Sequence, residues 1–169
     1  MADLQEIEAR LGRLEDVEAI RRLKYKYFRC LDTKALDELA ECFTEDVITS
    51  YSDGHYKLQG IYAVMKFIKR GMARYEFFGV HQGHHPEIEF TDDTTATGIW
   101  EMLAYMIDTK EDKCMLIGGF YHDEYVKVNG EWKVKSTGYN RIFEENWQRG
   151  DVPSLQLKAN MFASLTEPL

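Results

Sequence analysis

Three of the chain's five histidines fall inside one short segment, Val80-His81-Gln82-Gly83-His84-His85-Pro86. Imidazole is the side chain best matched to proton transfer near neutral pH, so this segment is the densest source of acid–base chemistry. As a strand it would put Val80, Gln82, His84, Ile88 and Phe90 on one face. His81, His85, Glu87 and Glu89 would share the other, solvated face. Strict alternation keeps His81 and His84 apart; a bulge at Gly83 would unite them. The plainer alternative buries one histidine on a hydrogen bond and leaves the others in water. A metal centre is a third, since His55, His81, His84, His85 and His122 could supply imidazoles. The His81/His84 spacing falls on a strand rather than a helix and no HExxH occurs, so no metal is expected.

Other candidates flank this segment. Lys24-Tyr25-Lys26-Tyr27-Phe28-Arg29-Cys30-Leu31-Asp32 ends a helix, with Tyr27 on its apolar stripe and Asp32 just beyond. A phenol projecting from such a stripe into a cavity can donate a hydrogen bond to a carbonyl. A carboxylate beside an imidazole can fix its tautomer. Equally, Tyr27 suits a core position and Asp32 a helix end. Tyr51 ends a strand at a turn. Tyr139 and Arg141 share one strand face, which alternation assigns to the outside with Lys133 and Lys135 unless Ser136-Thr137-Gly138 carries a bulge. A lone arginine on a sheet is as readily a surface ion pair. No GxSxG, CxxC, GxGxxG or P-loop occurs, which disfavours nucleophilic catalysis and a nucleotide cofactor.

The elements that must position these groups follow from periodicity. Leu4, Ile7, Leu11, Leu14, Val17, Ile20, Leu23, Tyr27 and Leu31 predict a first helix, loosened at Gly12. A second, capped by Thr33, carries Leu36, Leu39, Ala40 and Phe43 on one face. A strand over 46–51, a turn at Ser52-Asp53-Gly54 and a third helix over 61–74 come next. Strands are predicted over 80–90, 95–107, 114–128 and 131–143, and Asn129-Gly130 is the strongest hairpin signal. This is an α+β pattern, expected to form one domain over 1–169. Strands so long must twist. The expected architecture is therefore a cone-shaped barrel of strongly curved antiparallel or mixed sheet, its pocket closed by the N-terminal helices.

Composition bounds the partners. The chain has 169 residues, 44% hydrophobic and 30% charged, as in a globular domain with one real core. Its net charge of −8 disfavours nucleic acid and anionic membrane surfaces. No run approaches the roughly 18 apolar residues of a membrane helix. The acidic start, Met1-Ala2-Asp3, is not expected to be a signal peptide. Cys30, Cys42 and Cys114 read as buried thiols of a cytoplasmic protein. Ten Tyr, nine Phe and three Trp suit a pocket with greasy walls and a few polar tips, hence a hydrophobic small-molecule partner.

Several stretches together resemble the SnoaL-like branch of the nuclear transport factor 2-like superfamily. They are Asp16-Val17-Glu18-Ala19-Ile20, Lys26-Tyr27-Phe28-Arg29-Cys30-Leu31-Asp32 and Val47-Ile48-Thr49-Ser50-Tyr51-Ser52. They continue with Gly83-His84-His85-Pro86-Glu87-Ile88, Thr94-Thr95-Ala96-Thr97-Gly98-Ile99-Trp100 and Thr137-Gly138-Tyr139-Asn140-Arg141-Ile142. The likeness is greatest to the bile acid 7-alpha-dehydratases and more distant to the scytalone dehydratases. It implies a cofactor-free dehydratase that removes water from a steroid-like or other polycyclic hydroxy-carbonyl compound. In that role His81 is the general base, Tyr27 holds the developing enolate, and Asp32 and Arg141 complete the catalytic set. Tyr51, His84, Trp100 and Tyr139 are implied to contact substrate. A homo-oligomer, with a trimer favoured, is also implied. The dehydratase pattern has a carboxylate four residues after the strand tryptophan, where this chain has Ala104. Alternatives are an isomerase or another cofactor-free elimination or cyclisation in the same pocket, or a non-catalytic binding protein.

Overall fold

The computed structural model describes residues 3–165. Helix α1 (Leu4–Thr33) runs unbroken through Gly12 and stops where Lys34 turns to φ 61°, its N–H returning to the Cys30 and Leu31 carbonyls. The apolar stripe of α1 has two fates. Leu4, Ile7, Leu11 and Leu14 are exposed, whereas Ile20, Tyr27, Phe28 and Leu31 are buried. Helix α2 (Leu36–Ala40) is short, and Phe43 opens strand β1 (Phe43–Tyr51) instead of extending the helix. Strand β2 (Tyr56–Gln59), absent from the sequence expectation, folds back antiparallel on β1. Helix α3 (Ile61–Met72) follows, with Val64 and Ile68 buried. Four long strands complete the sheet: β3 (Phe77–Phe90), β4 (Thr95–Asp108), β5 (Lys113–Val128) and β6 (Glu131–Gln148). Asn129 and Gly130 join β5 to β6 at φ 52° and 86°, the doubly positive geometry of a type I′ turn.

The sheet order is β2-β1-β6-β5-β4-β3. β1 is parallel to β6 and the other pairs are antiparallel, so the sheet is mixed. Helices α1 and α3 cover one face, α1 against β3 and β6 and α3 against β1 and β2. The expected cone-shaped barrel is overturned: the sheet is open, neither closed nor strongly curved. Closure requires a hydrogen-bonded ladder between the edge strands β2 and β3. β2 has only four residues. The free edge of β3 is already occupied by side chains from the end of α1. Asp32 accepts the His81 N–H at 2.9 Å, and the Lys34 ammonium donates to the Phe77 carbonyl at 2.8 Å.

Of the four register shifts in the sheet, two set which candidate side chains face the helices. An extra residue at Lys135 in β6, just ahead of Ser136-Thr137-Gly138, turns Thr137 and Tyr139 inward and overrides the outward assignment that alternation gives Tyr139. In β3 the register shifts between His84 and Glu87, with His85 at φ 47°. Beyond the turn Arg149–Asp151 the described residues, up to 165, form no helix or strand and are anchored by Phe162, stacked on Tyr75 at 5.8 Å with the Lys34 ammonium 4.7 Å from its ring. Among the described residues no helix is long and apolar enough to cross a membrane. Cys30, Cys42 and Cys114 are free and buried. Nothing among the described residues supports a trimer.

Candidate active site

The end of α1 meets the edge of β3 at His81. Its ring Nδ1 lies 2.6 Å from Asp32 Oδ1, and its own N–H donates to Asp32 Oδ2. One carboxylate thus grips both the ring and the backbone of one histidine. A carboxylate only accepts, so Nδ1 carries a proton, and in the neutral form of the ring the lone pair lies on Nε2. The His81 side chain is 12% exposed and that of Asp32 19%, so both are sheltered but reachable. Phe28 lies parallel to the imidazole, ring centroids 6.5 Å apart. Gly83, two residues on, faces that same phenyl: a Cβ there would stand 2.5 Å from Phe28 Cε2.

Alternation counted back from Phe90 puts His81 on the solvated face. The bulge at His85 lies between them, so the count slips by one and His81 faces inward. The bulge does not unite His81 with His84. His84 is exposed, bound to Gln82 at 3.0 Å, and His85 pairs with Glu101 at 2.8 Å. Ala104 is the residue directly opposite His81 on β4.

Behind Phe28 stands a cluster of phenols. Tyr27 packs on Phe28 at 5.4 Å and on Tyr121 at 6.4 Å, and Tyr139 packs on Tyr51 at 5.8 Å and on Tyr121 at 5.5 Å. Burial, with the neighbouring phenols and Asp123 adding to it, holds Tyr27 and Tyr121 well above the ordinary tyrosine range. These groups are therefore neutral hydrogen-bond donors. Burial also raises Tyr51. The Tyr51 and Thr49 hydroxyls, on one face of β1, are buried without a hydrogen-bond partner. Tyr139 donates to or accepts from Ser52 at 3.0 Å.

Sequence reasoning missed the charged centre of the molecule. Lys24 and Asp123, both with side chains essentially sealed from solvent, pair at 2.7 Å. Asp123 also accepts the Tyr125 hydroxyl at 2.6 Å and the Thr137 hydroxyl at 2.6 Å. Trp100, expected to contact substrate, instead donates its indole N–H to Tyr125 at 2.9 Å from a fully buried position. A usable signal existed: Lys24 interrupts the stripe Ile20, Tyr27, Leu31 at helical spacing, and Asp123 sits between Tyr121 and Tyr125 on one strand face.

Arg141 lies away from His81. It donates to Asp53 from Nε at 2.8 Å and Nη2 at 2.6 Å, and to Glu144 at 2.6 Å. These groups line a cleft of about 720 Å³ whose walls include Tyr56, Met115, Ile117 and Tyr139. Tyr139 thus separates the cleft from the phenol cluster. The structure therefore unites His81 with Asp32, and Tyr27 with Tyr51 and Tyr139; Arg141 stands at the cleft, and His84 and Trp100 stand apart.

A family model described as a SnoaL-like domain matches residues 12–138. Solved structures share the architecture. A scytalone-dehydratase-like protein from Novosphingobium aromaticivorans is 28% identical, with TM-score 0.75, over 81% of this chain and 91% of that one. A type 3 hexachlorocyclohexane dehydrochlorinase from Novosphingobium barchaimii is 20% identical, with TM-score 0.71, over 81% and 93%. ActVI-ORFA from Streptomyces coelicolor is 15% identical, with TM-score 0.64, over 75% and 96%. The latter two likenesses are of fold alone.

Proposed function

The chain belongs to the SnoaL-like domain family, and from that premise we propose that it is a cofactor-independent lyase that eliminates water from a cyclic hydroxy-carbonyl compound. The observation that carries this reading is the His81 ring gripped by Asp32 at 2.6 Å with its Nε2 free. His81 Nε2 takes the proton from the carbon beside the substrate carbonyl, and that C–H electron pair forms the enolate. Asp32 stabilises the resulting imidazolium. Tyr27 and Tyr51, neutral and buried, donate to the enolate oxygen. The enolate then collapses, the β C–O bond breaks, and the departing hydroxide takes the proton back from His81 as water. Tyr139 and Arg141 line the neighbouring cleft, and His84 and Trp100 take no part in the step.

The dehydratase-like relative at 28% identity supports this class of chemistry. The finer likeness to bile acid 7-alpha-dehydratases is part of the proposal, and Ala104 opposite His81 weighs against that reaction. The same alanine favours a second reading, an elimination with another leaving group, such as halide, from the same base. Exposed Leu4, Ile7, Leu11 and Leu14 along α1 support self-association, which sedimentation reads directly.

The test is a screen of cyclic hydroxy-carbonyl compounds, hydroxysteroids included, with mass detection of water loss. His81→Ala is expected to lower turnover about 10²–10⁴-fold and Tyr27→Phe about 10²-fold, with the fold intact by circular dichroism. Unchanged turnover in both variants overturns the mechanism.

A further inference from the structure

A buried ion pair is a poor way to gain stability, because apolar side chains of the same shape usually do as well or better. Lys24 and Asp123 nevertheless sit at the centre of this fold, with their side chains 1% and 0% exposed. The surroundings of the two charges differ. Three donors converge on Asp123: Lys24, Tyr125 and Thr137. Its negative charge is thus answered on several sides. The Lys24 ammonium has that one carboxylate and three ring faces: Tyr121 at 3.9 Å, Tyr27 at 4.9 Å and Phe28 at 5.0 Å from the centroids. The positive end of the pair therefore faces Phe28, the ring that flanks His81, and two of the phenol rings. Tyr51 belongs to the same cluster, through the 5.8 Å contact with Tyr139 and the latter's 5.5 Å contact with Tyr121.

We propose that Lys24 and Asp123 form a fixed dipole whose positive end, acting through the Tyr27 and Tyr121 rings, biases the phenol cluster toward binding an oxyanion. Lys24 and Asp123 touch no substrate; they are positioning residues. A cation against the face of a phenol draws electron density from the ring and makes its O–H a stronger donor. In a water-poor interior that orientation is set before any ligand arrives, which is the condition under which electrostatic preorganisation is strongest. Asp123 alone acts in the opposite sense, since its negative charge disfavours a second anion nearby. The inference rests on the proposed use of Tyr27 as an enolate donor.

The two charges predict an order that a scaffold role does not. The probe is 4-nitrophenol, an oxyanion mimic whose ionised fraction when bound is read from its absorbance. The proteins are the wild type, Lys24→Met, Asp123→Asn, the double variant Lys24→Met/Asp123→Asn, and Tyr27→Phe. The expected anion preference is Asp123→Asn at or above wild type, then the double variant, then Lys24→Met, with about tenfold between wild type and Lys24→Met. Thermal stability should instead rank wild type first and both single variants below the double variant. Because the double variant leaves no unpaired charge, it keeps the test open if a single variant fails to fold. A folded double variant that ionises the probe as wild type does, or equal absence of binding in both, overturns the inference. Loss in Tyr27→Phe without loss in the double variant overturns it while leaving the proposed function standing. Loss in the double variant with Tyr27→Phe unchanged removes Tyr27 from the mechanism and leaves the dipole acting through Tyr121.

Discussion

Helix α1 supplies one member of each of two carboxylate pairs, and the pairs live in opposite surroundings. Asp32 holds His81 at the sheet edge, with side chains 19% and 12% exposed. Lys24 holds Asp123 in the centre, with side chains 1% and 0% exposed. Eight residues, about 12 Å of helix, separate them. Near solvent, a pair of titratable groups can exchange protons with water or a ligand, which is what a general base needs. Sealed inside, the same chemistry becomes a permanent charge separation whose loss is structural. Exposure, rather than residue type, divides proton transfer from electrostatic support.

The strongest challenge to this contrast is removal of one member of the sealed pair. Asp123→Ala should cost about 3–5 kcal/mol of unfolding free energy by chemical denaturation, because it leaves a buried ammonium without its carboxylate. A cost as small as that of Asp32→Ala would erase the distinction. At the edge, Asp32→Asn should leave the melting temperature nearly unchanged. It should lower turnover by about two orders of magnitude, since the amide no longer fixes the imidazole tautomer. Gly83→Ala tests the partition between the regions. Its methyl would meet Phe28 Cε2 at 2.5 Å, and Phe28 is confined between His81 and the Lys24 ammonium. Overpacking there should cost about 1–3 kcal/mol and perturb turnover as well.

Lys34 gives the smallest effect and an intermediate case. Its ammonium donates to the Met72 and Phe77 carbonyls, and burial lowers its pKa from 10.5 to about 8. Between those values the unfolded chain holds a proton that the folded chain has released. Stability should therefore rise with pH across that window, and Lys34→Met should flatten the rise in denaturation curves taken from pH 8 upward. A slope unchanged by the substitution would return Lys34 to the exposed class.

Much of the element order was legible because strong local signals set it. The stripe of α1 and the Asn129-Gly130 turn need no tertiary information. The short β2 carries no apolar alternation, with Tyr56, Lys57 and Gln59 exposed, so nothing local announced it. Barrel closure failed as an expectation because it depends on what the β3 edge meets in space, and that edge meets α1. In the site, Asp32 and His81 were both singled out, yet alternation put His81 outside because one bulge shifts parity without altering composition. Alternation likewise puts Tyr139 outside, and the extra residue that turns it inward is Lys135, next to the Ser136-Thr137-Gly138 stretch that could host a bulge. Lys24 was hidden by its type: a lysine on an apolar stripe is usually discounted as a snorkelling surface residue. Its partner is 99 residues away, and only the assembled fold brings them together.

The grip of Asp32 on the His81 amide has a bearing on solubility. A free strand edge is a template on which a second chain can add, the first step toward fibrillar assembly. On β3 that template is interrupted at two points, by Asp32 and by Lys34. A substitution that removes the Asp32 carboxylate therefore exposes a strand end to other copies of the chain, and the loss grows with protein concentration. Variants at this position are therefore expected to differ in aggregation at high protein concentration as well as in turnover, and a library selected for activity at low expression would miss the first effect.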